Sequence, residues 1–254
     1  MIVGIALLAA LLGTVWAGGP LDDLRSLFRP RPPVETEPGL FTPVPAAAVE
    51  PVNPSAGTRL PGVVNCANLI YGNHQTSVCF SAEFLTTVQA ETHIQTNPQL
   101  VPVSLESAEL FQFPFAVMTG EGSFTLTEQQ RRNMRDYLQA GGFIIASAGC
   151  SSDAWRQSFL REIALVFPEL SLSTLDFKHP VFHTVYDIHE LKCKGAHRAH
   201  LEGLEIDGKI VLIFSPDGLN DTSKAGGNCC CCGGNEIKNA RQMNVNLLAY
   251  TLTH

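Results

Sequence analysis

Residues 115–147 read FAVMTGEGSFTLTEQQRRNMRDYLQAGGFIIAS. The two ends, Phe115–Met118 and Phe143–Ser147, are short runs of apolar and branched side chains, the pattern of strands buried on both faces. Between them Met134, Tyr137 and Leu138 fall on one face of a helix over Glu128–Ala140. Thr125 with Glu128 offers a capping box at its start, and Gly141-Gly142 supplies the stop. Strand, helix and strand in this order form a parallel crossover.

The alternation continues outward. Asn68–Tyr71 and Ile210–Phe214 read as further strands, and Ser81–Glu91, Asp153–Val166 and Asn235–Leu252 as further helices, with Trp155 and Phe159 on the buried face of their helix. The expected class is α/β, with a mostly parallel sheet covered on both faces. No internal repeat is visible.

The chain has 254 residues, of which 45% are hydrophobic and 16% charged, enough for one core of medium size. Seventeen basic against 24 acidic residues give a net charge of -7, without any block of Lys or Arg, so a basic nucleic-acid footprint is excluded. The one strongly apolar stretch is residues 1–17, MIVGIALLAALLGTVWA. Val15 and Ala17 suit a signal-peptidase site, and the run is short for a bilayer span, which needs roughly 20 residues. Residues 1–17 are therefore expected to be a signal peptide or an N-terminal membrane anchor, and either places the remainder in a periplasmic or extracellular, oxidising space. Residues 18–61 hold ten of the sixteen prolines and read as an extended linker. The folded unit is expected over 62–254.

Four pieces of the folded unit carry a resemblance: Phe115–Gly120, the LQAGGF of Leu138–Phe143, His179-Pro180-Val181-Phe182-His183 with Tyr186-Asp187-Ile188, and the ending from Asn244-Val245-Asn246 to His254. In this order they resemble an exported bacterial family known only as a domain of unknown function, similar in fold to class I glutamine amidotransferases and trehalose-utilisation-type proteins. The resemblance implies a flavodoxin-like three-layer sandwich and no assigned reaction. The chain departs from the family's pattern at Ala148-Gly149-Cys150-Ser151-Ser152, where acidic residues are expected in many relatives, and at Gly226–Gly234, which encloses four consecutive cysteines.

That run, Cys229, Cys230, Cys231 and Cys232, is the most distinctive chemical feature. Neighbouring Cα atoms lie about 3.8 Å apart, below the disulfide range of roughly 4.4–6.8 Å, so the thiols are expected to engage groups elsewhere. Cys229 and Cys232 have the spacing of a metal knuckle, and the flanking glycines permit a tight fold around an ion. Cys193, His197 and His200 form a second candidate group of ligands. Cys150, directly after a strand, is a third contributor, since ligands gather at the carboxyl ends of strands in open α/β sheets. Clustered thiolates repel unless a cation compensates them, so a metal is the leading reading: zinc by default, with iron, copper or an iron–sulfur cluster also compatible. An even count of eight cysteines in an exported chain also fits, as the second reading, disulfides in which Cys66, Cys79, Cys150 and Cys193 each pair with one member of the run. A redox-active thiol site is the third possibility.

The resemblance implies one more role for Cys150. In amidotransferase-like folds the catalytic cysteine sits on a tight turn between a central strand and a helix, which is where Ile144–Cys150 and the helix from Asp153 place it. The elbow of those enzymes resembles G-x-C-x-G, whereas two serines follow Cys150 here. A base would have to be His183, or His189 with Glu190. Glu121, in a glycine-rich segment after a strand, reads first as part of a plain turn and otherwise as lining the same cleft, and His183 reads first as a hydrogen-bonded core histidine. The expected function is a non-catalytic or redox metal- or thiol-binding module, with a cysteine hydrolase using Cys150 and His183, or a disulfide-stapled binding module, as alternatives. The partner is a small molecule or a protein, with no nucleic acid, and with a membrane only through an uncleaved N-terminus.

Overall fold

The computed structural model describes residues 58–72, 80–193, 198–221 and 237–254. Strands β3 (Phe115–Gly120) and β4 (Phe143–Ala148) are its centre, and every residue in both is buried. They pair in parallel over their whole length, Phe115 opposite Phe143 and Gly120 opposite Ala148. Alternation sends Ala116, Met118, Ile144 and Ala146 into one core and Phe115, Val117, Phe143 and Ile145 into another, on the two faces of the sheet. This is why both strands read as continuous apolar runs.

Around them lie β1 (Cys66–Ile70), β2 (Val101–Ser104), β5 (Ser173–Thr174), β6 (Glu202–Ile206) and β7 (Lys209–Ser215). The order is β2-β1-β3-β4-β7-β6-β5. The first five strands in this order run parallel, and β6 pairs antiparallel with both β7 and β5. Helices α2 (Glu128–Gln139) and α3 (Asp153–Val166) cover one face through Met134, Tyr137, Leu138, Trp155 and Phe159. Helices α1 (Glu83–Glu91) and α4 (Ala240–Thr253) cover the other through Phe84, Leu85, Val88, Met243 and Leu247. Among the described residues, no helix is long and apolar enough to cross a membrane.

The expected α/β class with a mostly parallel sheet is what forms. Helix α2 begins two residues later than the Thr125 cap would set it. Its capping box is Thr127 with Gln130: the Thr127 hydroxyl accepts from the Gln130 amide, and the Gln130 side chain accepts from the Thr127 amide, each at 3.1 Å. Its stop is the expected glycine pair, with Gly141 at φ +94°, Gly141 N donating to the Leu138 carbonyl and Gly142 N to that of Tyr137.

The antiparallel end had a readable signal as well. Asp207-Gly208 links β6 to β7 with both residues at positive φ, 51° and 78°, as a type I′ hairpin turn demands. Strand β2 contains Pro102 and lies at the sheet edge, the place where a strand tolerates a missing amide donor.

Two of the resembling motifs prove to be one structural clasp. His179 caps the short 3-10 turn Pro180–Phe182, its Nδ1 accepting from the Val181 amide at 3.2 Å. Fully buried Asn246 accepts from the amides of Val185 and Tyr186 at 3.0 and 2.8 Å and donates back to the Tyr186 carbonyl at 2.8 Å. Neighbouring Asn244 donates to the Leu219 carbonyl at 2.8 Å. The two amides tie α4 to the loops beside it.

Trp155 is fully buried, and its indole N–H donates to the Tyr71 hydroxyl at 2.6 Å. Trp155→Ala should lower unfolding stability by about 3–5 kcal/mol in urea titrations, the range of large-to-small core changes. A loss under about 1 kcal/mol would mean that the indole does not fill this core.

Candidate functional site

The carboxyl ends of β3, β4 and β7 rest on a buried polar floor. Ser147, at the end of β4, accepts from the Leu219 amide at 2.8 Å and donates to the Asn220 side-chain oxygen. Asn220 reaches Thr119 Oγ1 of β3 at 3.5 Å, and its own carbonyl accepts from the Ser81 amide at 2.8 Å. Ser215 accepts from the Gly218 amide at 3.1 Å. Thr119, Ser147, Ser215 and Asn220 are at most 1% exposed; the bonds of Ser147 and Thr119 to Asn220 tie the ends of β3 and β4 together, and Ser215 shapes the turn that follows β7. Beside this floor the Tyr71 hydroxyl donates to the Thr119 carbonyl at 3.0 Å while accepting from Trp155. Burial pushes the Tyr71 phenol well above its ordinary range. The β1–β3 boundary, where successive connections leave in opposite directions, is thus filled by two aromatic side chains.

Above the floor the chain turns sharply from β4 into α3. Cys150 (φ 50°, ψ 31°) and Ser151 (φ 50°) both take the left-handed conformation, which costs a non-glycine residue of order 1–3 kcal/mol. The preceding position needs glycine, because a Cβ on Gly149 would stand 2.9 Å from the Gly120 carbonyl oxygen. Ser152 then caps α3, its hydroxyl accepting from the Trp155 amide at 3.3 Å and donating to the Glu121 carbonyl. The Ser151 hydroxyl donates to the Asp217 carbonyl at 3.4 Å. Cys150 Sγ lies 3.4 Å from Glu121 Oε1. Cys150 is disulfide-bonded, with a partner outside the described residues. A disulfide sulfur has no proton, so the Glu121 approach is a contact and not a hydrogen bond.

The remaining cysteines separate by environment. Cys66 is a fully buried free thiol that burial pushes far up from its ordinary range, so it behaves as a core residue, and the expected pairing of Cys66 with the four-cysteine run does not form. Cys193 is half-buried and forms an antiparallel bridge with Ile237, reinforced by the Lys238 amide donating to the Lys192 carbonyl at 2.6 Å. Asn239 closes the same junction, accepting from the Lys192 amide at 2.8 Å and donating to the Glu190 carbonyl at 3.0 Å. The stretch holding Cys193 and the chain five residues beyond Cys232 are therefore side by side. At the other end of that excursion, Arg241 spans Asp221 at 2.7 Å and Glu83 at 2.9 Å. His200 is half-buried with Nε2 3.3 Å from Glu202 Oε1. Cys79, His197, Cys229, Cys230, Cys231 and Cys232 lie outside the described residues. Among those described, no group of three or more His, Cys, Asp or Glu residues is arranged to hold a metal ion.

His183 is engaged on both ring nitrogens, with Nδ1 3.0 Å from Asp187 Oδ1 and Nε2 2.6 Å from the Phe177 carbonyl. This is the hydrogen-bonded histidine that its apolar context suggested. Its ring packs 5.4 Å from that of His189, which lines an open cleft of about 300 Å³ with Asp187, Glu190, Lys192, Asn239 and Gln242. Sequence reasoning passed over Ser147, Asn220 and Tyr71. Only the serine-rich end of a buried strand hinted at the first of them.

The family model described as Domain of unknown function (DUF4159) matches residues 65–252, and the chain belongs to that family. Among curated proteins no match is found.

Burial holds the His179 imidazole below its ordinary range, with Glu205 opposing and His254 reinforcing the shift. Protonation would also end its acceptance from the Val181 amide. The unfolded chain therefore takes up this proton first, so the stability is full above an unfolded pKa of about 6.5 and is lost as pH falls through it. Melting curves from pH 8 to pH 5.5 should fall more steeply for the parent than for His179→Asn, which keeps an acceptor without the titration. Equal slopes would remove His179 from the pH dependence.

Proposed function

We propose that this DUF4159 chain is an exported, non-catalytic bacterial binding module that meets a small molecule or protein partner at the carboxyl edge of β3, β4 and β7. The observation that carries the reading is the disulfide on Cys150, at the elbow where an enzyme of amidotransferase-like fold would hold its thiolate. A disulfide also suits the periplasmic or extracellular space implied by residues 1–17 and the proline-rich linker. The parallel strand order β2-β1-β3-β4-β7 supports the flavodoxin-like, amidotransferase-like scaffold. On such scaffolds ligands meet the strand ends, and the Tyr71–Trp155 pair fills the β1–β3 crevice, which directs a ligand toward Cys150, Ser151 and Asp217.

Hydrolysis by Cys150 with His183 needs a thiolate and an imidazole nitrogen open to it. The oxidised sulfur and the two occupied ring nitrogens favour binding over that chemistry. A second reading has its own support. The Cys193–Ile237 bridge brings Cys193 beside the chain that follows Cys229–Cys232, so Cys193, His197, His200 and members of the run would be the residues to hold zinc, or less readily iron, copper or an iron–sulfur cluster.

Thiol titration in denaturant and metal analysis of the untagged chain, purified without reductant, test the two readings together. The binding-module reading expects two or more of the eight cysteines to be unreactive and each metal to be far below one per chain. Near-stoichiometric zinc that disappears in the Cys229→Ser, Cys232→Ser variant transfers the assignment to the metal site. Eight reactive thiols overturn the disulfide-based reading.

A further inference from the structure

Two buried amide side chains grip the chain where it enters the folded unit. Asn65, 5% exposed, accepts from the Leu60 amide at 2.9 Å and donates to the carbonyls of Leu60 and Val63 at 2.8 and 3.0 Å. Asn97, 3% exposed, donates to the Asn65 side-chain oxygen and to the Thr58 carbonyl, each at 3.0 Å, while its own oxygen accepts from the Gln99 amide at 3.1 Å. Both amides are therefore satisfied at oxygen and nitrogen, and what they hold of residues 58–63 is backbone. Arg59 adds a bond to the Gln112 side chain. The clamp has a definite place in the fold. Asn65 directly precedes β1, Asn97 lies shortly before β2 and Gln112 shortly before β3, and these three strands run parallel, so all the contacts gather at their amino ends. Cys150, Ser151 and Asp217 instead follow the carboxyl ends of β4 and β7, which run in the same direction. The two poles stand about 17 Å apart, the rise of a six-residue strand such as β4.

We propose that the Asn65–Asn97 clamp orients the domain on its proline-rich segment: residues 18–57 depart from the amino pole, and the carboxyl edge of β3, β4 and β7 is presented on the side opposite whatever that segment is joined to. A partner then meets the edge without the segment in its path. The clamp decides this, because the seven residues from Thr58 to Asn65 could extend to about 25 Å, farther than the distance between the poles. Without the side-chain bonds the chain could leave toward either pole. The inference rests on the proposed function for which edge binds, and on the clamp alone for the direction of departure.

The test measures distances in the full chain by pulsed electron spin resonance, with labels on genetically encoded keto residues that leave the cysteines untouched. One label replaces Ser55, which connectivity keeps within about 11 Å of Thr58. The other replaces exposed Ala140, just before β4, or exposed Ala154, just after the elbow. The mean distance from Ser55 should be shorter to Ala140 than to Ala154 by on the order of 10 Å. Equal or reversed distances overturn the orientation. In the Asn65→Ala, Asn97→Ala double variant both distributions should broaden and their difference shrink, while the Ala140–Ala154 distance, which reports the fold, stays as in the parent. Distributions that stay sharp in the variant overturn the clamp as the cause. A second measurement needs no variant: the Leu60 amide should exchange at least about tenfold more slowly than in an unfolded peptide of the same sequence, and exchange at the peptide's rate would also overturn the clamp. Loss of the edge assignment in the thiol titration would leave these distances unchanged, so the two failures are told apart.

Discussion

The close approach of two strand ends organises the rest of this molecule. Gly120 and Gly149 stand where side chains would collide: a Cβ on Gly120 would come within 2.5 Å of the Tyr71 hydroxyl and 2.8 Å of the Trp155 ring, and one on Gly149 within 2.9 Å of the Gly120 carbonyl. With both positions bare, Trp155 docks fully and drives its indole N–H onto Tyr71. Helix α3 is then seated so close to β4 that only four residues connect them, and two of these adopt the left-handed conformation. The elbow holding Cys150 follows from this packing, and its backbone strain is supported by the buried bonds of Ser147, Asn220 and Thr119 beneath it.

That chain of causes links the core to the proposed function. A cysteine at the carboxyl end of a central strand is where the scaffold concentrates ligand contacts. Cross-linking of its sulfur gives the position a different character from that of a nucleophile. On the opposite face of the sheet Asn246 holds the His179–Ile188 segment against α4, and Asn244 holds the loop at Leu219.

The central crossover was legible because its signals are local. Continuous apolar runs, one amphipathic helix and a glycine pair decide it within residues 115–147. The capping residue was misplaced by two positions since Thr125 and Thr127 both satisfy the spacing rule, and only tertiary packing separates them. Strand β6 was missed although Asp207-Gly208 marks its hairpin, because EGLEI is too polar to read as a buried strand; it flanks β7, with only the two-residue β5 beyond it. The motifs His179–Ile188 and Asn244–Asn246 drew attention as a family pattern, yet their bonds are structural. Nothing in the local sequence could join residues 61 positions apart, as Val185 and Asn246 are. For the site, Cys150 stood out by its place after a strand, while the choice between thiol, metal ligand and disulfide depends on neighbours distant in sequence.

The most direct measurement is peptide mapping of the unreduced chain, digested at acid pH to prevent exchange and analysed by mass spectrometry. The account predicts that the peptide containing Cys150 is recovered cross-linked to a second cysteine peptide, while the peptide containing Cys66 is recovered as a free thiol. Recovery of Cys150 as a free thiol from protein never exposed to reductant would contradict it.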